Sequence, residues 1–150
     1  MGSSRSTLVA DPYAIYHLAT KHGAAARAYR ELASEGALTL IVPALSLASA
    51  HGLTSCGDRA CHHSHLDDVS GCLRELVTLA GVRVQELSES TALRAGAAFH
   101  TRTVSGYVGD TVLASSEVIL IAQERDIAIL TTPQAKYCYV VPATLRFVFV

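Results

Sequence analysis

The 150-residue sequence lacks several features that would indicate particular classes of protein. No stretch approaches the roughly 18 uncharged apolar residues of a membrane-spanning helix, so we expect no association with a membrane. Lys and Arg form no block, and a net charge of −1 provides no general electrostatic attraction for nucleic acid. An apolar secretory leader is also lacking, and we therefore expect a cytoplasmic protein whose four cysteines are reduced thiols.

Common catalytic and binding signatures are missing as well. Ser, His and Asp all occur, but no Gly-x-Ser-x-Gly nucleophile elbow is present. Glycine-rich phosphate loops of the P-loop or dinucleotide-binding type are absent. The tyrosines do not form the pattern of an RNA-stacking surface. These absences argue against hydrolases with a nucleophile elbow, P-loop NTPases and dinucleotide-dependent enzymes.

Apolar residues are abundant instead, at 50% of the chain with a mean hydropathy of +0.31. Residues 38–42 and 127–130 are continuous apolar runs of strand length. Continuous rather than alternating apolarity is typical of strands that are covered on both faces, as in a parallel sheet. Helical patterns separate the predicted strands along the chain. The sequence therefore predicts an α/β fold of three α/β/α layers with a central, mainly parallel sheet.

The individual elements follow from caps, breakers and periodicity. Asp11-Pro12 predicts a helix start, and Ser90-Thr91 predicts the cap of a later helix. The other predicted helices cover 24–34, 44–50, 66–80 and a segment from about Asp110, and the predicted strands cover 7–10, 38–42, 82–86, 127–130, 139–141 and 146–150. No repeat or linker divides the chain, which indicates a flexible leader over 1–6 and one domain over 7–150.

Four segments resemble the PIN-domain ribonuclease family, whose VapC-like members are toxins of toxin–antitoxin pairs. STLVADPYAIYHLA is similar to the first strand and helix of the family, and LTLIVPALSLASA to the second strand and the helix after its proline. VRVQELSESTALRAGAAFHTRT resembles the third strand and next helix, and GDTVLASSEVILIAQERDIAILTTP the Asp-bearing helix, fourth strand and Leu-Thr turn. The resemblance covers nearly the whole chain except 51–65 and implies a PIN-like fold.

The resemblance also implies a metal site whose set of acids is incomplete. In PIN domains, carboxylates converge at one sheet edge to hold Mg²⁺ or Mn²⁺, and metal-activated water hydrolyses RNA. The first acid matches Asp11 and the third matches Asp110. The second falls on Ser49 and the fourth near Pro133, while Thr131 matches the Thr of the turn. We therefore expect Asp11 and Asp110 to hold the metal, with Ser49 and Thr131 as neutral contacts to water or phosphate.

Both retained acids also have a purely structural interpretation. Asp11 precedes Pro12, where a side-chain cap of a helix N-terminus accounts for it. Asp110 follows Gly109 at a predicted helix start and is explained in the same way. The sequence leaves open whether these carboxylates bind metal or only cap helices.

The segment from 51 to 65 is rich in metal-binding residue types, with four histidines and two cysteines in 15 residues. Zinc favours thiolate and imidazole ligands, so Cys56, Cys61, His62 and His65 form a candidate zinc site. The Cys-x4-Cys spacing matches no recognised ligand pattern, however. A polar surface loop with reduced thiols is the alternative.

Two functions of different classes follow from these observations. The first is a weak or atypical divalent-metal-dependent endoribonuclease of toxin–antitoxin type, which would act on RNA. The second is a catalytically inactive PIN-fold binding or regulatory module, in which both acids only cap helices. The resemblance further implies a homodimer and an antitoxin-like protein partner.

Overall fold

The structure is a computed structural model that describes residues 5–52, 64–104, 112–133 and 144–150. The described strands are β1 (Ser6–Ala10), β2 (Leu38–Pro43), β3 (Val82–Gln85), β4 (Ala128–Thr131) and β5 (Phe147–Phe149). The described helices are α1 (Pro12–Thr20), α2 (Gly23–Ser34), α3 (Ala44–Gly52), α4 (Ser64–Val77), α5 (Glu89–Val104) and α6 (Val112–Arg125). None of these helices is long and apolar enough to cross a membrane.

The strands form one sheet in the order β3-β2-β1-β4-β5. Each described pairing between neighbouring strands is parallel. The central strand is β1, whose Leu8 lies opposite Leu40 of β2 and Ala128 of β4. Because the strands are parallel, their carboxyl ends meet at one edge of the sheet, and β1, β2 and β4 are neighbours there.

The two faces of the sheet pack against different helices. Leu8, Leu40 and Leu130 belong to the core formed with α1, α2 and α4. The residues next to them in sequence, which point the other way, pack with Val118 and Ile121 of α6. These opposite-facing strand residues are Val9, Ile41 and Ile129. Coverage on both faces explains the continuous apolar runs, and the predicted three-layer fold with a parallel sheet is confirmed.

The predicted helix start at Asp11-Pro12 is also confirmed. The Asp11 side chain accepts a hydrogen bond from the backbone N–H of Ala14 at 2.8 Å, and Pro12 occupies the first turn of α1. A proline is tolerated there because the first helical N–H groups have no partner within the helix. The cap therefore joins the end of β1 to the start of α1 without an intervening loop.

The predicted cap of α5 is wrong. Ser88 rather than Ser90-Thr91 precedes the helix, and its hydroxyl oxygen accepts a hydrogen bond from the N–H of Thr91 at 3.1 Å. The N–H of Ala92 donates to the carbonyl of Ser88 at 2.8 Å, which is the first α-helical bond. Both serines can cap, and β3 ends early enough for the first of them to do so.

Other boundaries differ from the predictions by a few residues. The third helix continues through His51 and Gly52, and α4 ends at Val77 rather than at residue 80. The predicted strand at 139–141 lies outside the described residues. β1 begins at Ser6, and the division of the chain into a leader and one domain stays a prediction.

Candidate metal site at the carboxyl edge of the sheet

Polar side chains follow the neighbouring strands β1, β2 and β4 at the edge where these strands end. Asp11 comes directly after β1, and its backbone N–H donates to the carbonyl of Leu130 on β4 at 3.0 Å. Thr131 ends β4 and Thr132 follows it. In open parallel sheets, ligands bind outside this edge. The fold therefore places Asp11 where a ligand site is expected.

Asp11 is fully buried and holds three elements together. One carboxylate oxygen, Oδ1, accepts from the N–H of Ala14 in α1. The other, Oδ2, accepts a hydrogen bond from the hydroxyl of Thr131 on β4. The cap interpretation of Asp11 is confirmed by the first bond. A carboxylate has about four acceptor positions, so capping alone does not exhaust its capacity.

Glu117 is a second buried carboxyl group, which the sequence patterns did not single out. It lies in α6 with 1% of its surface exposed. Its Oε1 accepts from the backbone N–H of Leu45, in the first turn of α3, at 3.4 Å. Its Oε2 has no hydrogen-bond partner among the described residues. Burial raises the pKa of Glu117, and the Leu45 N–H, which favours the charged form, opposes that shift.

Two buried hydroxyl groups accompany these acids. Ser46 follows Leu45 in the first turn of α3, and Thr132 follows Thr131 after β4. Both residues are fully buried, and neither hydroxyl has a hydrogen-bond partner within the described part of the chain. An unsatisfied buried polar group costs about 1–3 kcal/mol. A bound ion with its water molecules would satisfy such groups, and the edge thus has the donor atoms of a ligand site.

Of the four residues that the sequence predicted for the site, the structure describes Asp11, Ser49 and Thr131. Asp11 and Thr131 are brought together by their hydrogen bond, whereas Asp110 lies outside the described residues. Ser49 is half-buried in α3, one turn beyond the fully buried Ser46 and on the same side of the helix. Across the described ranges, no group of three or more His, Cys, Asp or Glu side chains converges on one place. The roles of all four predicted residues stay predictions.

The zinc prediction for the His/Cys segment is also open. Cys56, Cys61 and His62 lie outside the described residues, and His65 is in the first turn of α4. His51, at the start of the segment, has its Nε2 2.8 Å from the hydroxyl of Ser70 in α4. This contact joins α3 to α4.

The buried carboxyl of Glu117 predicts a pH-dependent stability. A raised pKa means that the folded state keeps its proton above the ordinary value of 4.5, where the unfolded state has lost it. Stability should therefore fall as pH rises from 4.5 through the folded pKa, and the whole loss is present above it. Glu117→Gln cannot ionise and keeps an acceptor for the Leu45 N–H. We expect this variant to exceed the wild type in free energy of unfolding at pH 7.

Urea denaturation in the presence of a chelator, repeated between pH 4 and pH 8, measures this difference. Glu124→Gln is the control, because Glu124 is on the same helix but its side chain is 47% exposed. A Glu117→Gln variant that is no more stable than the wild type at neutral pH would contradict the expected cost of ionisation.

Comparison with solved structures identifies a protein of similar fold. One chain of the crystal structure described as VapBC2 from Rickettsia felis, bound to a DNA fragment from their promoter, superposes with a TM-score of 0.63 at 12% sequence identity. The match covers 96% of this chain and 98% of that one. No protein-family model and no curated protein sequence matches the chain. The likeness therefore concerns the fold, and it agrees with the α/β architecture predicted from the sequence.

Proposed function

We propose that this chain is a PIN-like protein of the toxin–antitoxin type with a weak or atypical divalent-metal-dependent ribonuclease activity. The observation that carries the proposal is the set of buried oxygen groups at the carboxyl edge. Asp11 and Thr131 are joined there, and the hydroxyls of Ser46 and Thr132 and the Oε2 of Glu117 are buried without a partner in the described ranges. When bound, Mg²⁺ or Mn²⁺ supplies an activated water for phosphodiester hydrolysis.

The chemistry of these donor groups fits a hard divalent cation. Carboxylate and hydroxyl oxygens are the ligand types that Mg²⁺ and Mn²⁺ prefer, whereas zinc sites favour thiolate and imidazole. Mg²⁺ commonly uses one or two protein carboxylates and keeps several waters. Asp11 supplies one carboxylate from the end of β1. Asp110 is the second ligand in the proposal, with Ser49 and Thr131 as contacts to water or phosphate.

Partners belong to the same proposal. The fold is similar to that of a chain in a VapBC2 complex, which supports an antitoxin-like protein as the partner of this chain. RNA as the substrate and a homodimer as the assembly are supported by the resemblance of the sequence segments to PIN domains. The near-neutral net charge of −1 implies that RNA would be held locally at the site rather than along a broad basic surface.

A catalytically inactive binding or regulatory module is the alternative. One observation favours it, because both carboxylate oxygens of Asp11 already serve the fold, one at the cap of α1 and one at Thr131. In that case Asp11 and Thr131 would contribute only to the stability of the fold. Metal binding separates this alternative from the proposed ribonuclease.

Asp11→Asn should abolish or strongly weaken Mn²⁺ binding while the fold is kept. Asn caps helices about as well as Asp, so α1 should still form, but the amide removes the negative charge from the edge. We expect the Mn²⁺ dissociation constant to increase about tenfold or more, and any RNA cleavage to be lost. Titration followed by electron paramagnetic resonance measures free Mn²⁺ directly, and circular dichroism verifies the fold.

Asp126→Asn is the matched control for this substitution. The Asp126 side chain is 97% exposed and lies between α6 and β4, away from the carboxyl edge. Its removal should leave Mn²⁺ binding unchanged. Wild-type protein that binds no Mn²⁺ at millimolar concentration, with or without RNA, would favour the inactive module. Unaltered binding by Asp11→Asn would instead remove Asp11 from the metal site.

A further inference from the structure

We propose that Glu117 supplies the carboxylate that α3 lacks, so that α6 provides a further acidic ligand of the metal site with the hydroxyl of Ser46 beside it. This inference rests on the proposed metal-dependent function. In the PIN resemblance the second acid belongs to the helix after β2, where this chain has Ser49. A carboxyl group is nevertheless present at the first turn of that helix, and it is carried by a different element.

The position of the Glu117 carboxyl follows from its contact with α3. Its Oε1 is 3.4 Å from the N–H of Leu45, which is two residues after the end of β2. β2 lies directly beside β1, with Ile41 opposite Val9. Asp11 comes directly after the carboxyl end of β1, just as Leu45 comes shortly after the carboxyl end of β2. The two carboxyl groups therefore lie at the ends of adjacent strands, on the edge where a cation would bind.

A helix cap does not account fully for Glu117. The contact with Leu45 is at the long limit for a hydrogen bond, and it uses only one carboxyl oxygen. The second oxygen has no partner among the residues that the structure describes, although 99% of the residue's surface is removed from solvent. Gln would cap α3 equally well without a group that can ionise. A buried acid with one unused oxygen is instead suited to a positively charged ligand.

Ser46 provides independent support for a ligand at this place. It is fully buried in the first turn of α3, next to Leu45, and its hydroxyl has no partner in the described portion. A buried alanine would fit this helix better than an unsatisfied serine. Two unpartnered polar groups thus flank the N-terminus of α3, one from each of two helices. A hydrated cation held here would satisfy both, because each of these oxygens could bind the cation or accept from its water molecules.

The experiment compares Mn²⁺ dissociation constants of the full chain and of Glu117→Gln, Ser46→Ala and Glu124→Gln. We expect Glu117→Gln to weaken Mn²⁺ binding about 10- to 100-fold and Ser46→Ala to weaken it less. Glu117→Asp, which keeps the charge on a shorter side chain, should bind Mn²⁺ more tightly than Glu117→Gln. Glu124→Gln should equal the wild type, because Glu124 pairs with Arg94 at the surface. Stabilisation of each protein against heat by Mn²⁺ gives a second readout that does not depend on RNA cleavage.

The outcomes distinguish this inference from the function on which it rests. Binding that is lost in Asp11→Asn but unchanged in both Glu117→Gln and Ser46→Ala would overturn the role of Glu117 and leave the metal site intact. Wild-type protein without saturable Mn²⁺ binding would overturn both. Loss in Glu117→Gln with recovery in Glu117→Asp supports the proposal, since a merely structural cap would be served as well by Gln.

Discussion

Gly81→Ala should strongly destabilise the fold. A Cβ atom built on Gly81 overlaps the carbonyl oxygen of Leu38 and lies 2.7 Å from that of Ala33. Both obstacles are backbone atoms, which cannot rotate away as a flexible side chain would. The Gly81 N–H already donates to Ala33 at 2.7 Å, and its carbonyl accepts from Leu40 at 2.8 Å, so the residue is held in place from both sides. We expect a loss of about 3 kcal/mol or more in the free energy of unfolding.

The effect should extend to the carboxyl edge, because Gly81 sets the approach of α2 and β3 to the start of β2. Displacing β2 would move the first turn of α3, where Leu45 and Ser46 lie. Urea denaturation monitored by circular dichroism measures the loss. Gly96→Ala in α5 is the control, since nothing lies within 4 Å of a Cβ there and Ala should stabilise the helix by about 0.5–1 kcal/mol. A Gly81→Ala protein whose free energy of unfolding is within 1 kcal/mol of the wild-type value would contradict the prediction that the backbone leaves no room for a Cβ atom at this position.

Leu40→Ala should be the second strongly destabilising change. Leu40 is fully buried in β2 and lies opposite Leu8 of β1 and Val82 of β3. Its side chain contributes to the core beneath α1, α2 and α4. Truncation removes apolar contacts and leaves a cavity that the flanking strands cannot close. The expected cost is about 2–5 kcal/mol.

Leu32→Ala provides the comparison for Leu40→Ala. Leu32 lies in α2 with 42% of its surface exposed, so its truncation should change stability by less than about 1 kcal/mol. Both free energies come from urea denaturation, with the slope of the transition monitored for changes in the unfolded state. Equal effects of the two substitutions would show that the core around β2 is not tightly packed. At temperatures where Leu40→Ala stays folded, its Mn²⁺ affinity should equal that of the wild type.

The fold could be predicted because its signals are local. The apolar runs at 38–42 and 127–130 indicate strands buried on both faces, whichever helices cover them. Asp11-Pro12 predicts a helix start because the cap and the proline act within one turn. The position of the α5 cap was missed, since Ser88 and Ser90 are equally able to cap. The end of β3 decides between them, and that depends on pairing with β2.

The candidate site could be predicted only in part. Asp11 stands out because it ends a strand and begins a helix. Glu117 is one of two acids in α6, and the sequence has no means to distinguish the buried carboxyl of Glu117 from the solvent-facing one of Glu124. Its contact with Leu45 joins residues 72 positions apart. Ser46 is equally inconspicuous, because serine is common on both buried and exposed helix faces.

By itself, the sequence determined the order of strands and helices, the parallel sheet and the position of Asp11 at a strand end, because hydrophobic periodicity and capping act over a few residues. Its resemblance to PIN domains also predicted that the set of acids is incomplete, at Ser49 and near Pro133. Only the tertiary structure decided which side chains share the carboxyl edge. Packing of α6 against the sheet buries Glu117 beside the first turn of α3, and the pairing of β1 with β4 brings Thr131 to Asp11. Burial and proximity across the chain depend on the packing of whole elements, and no local pattern encodes them.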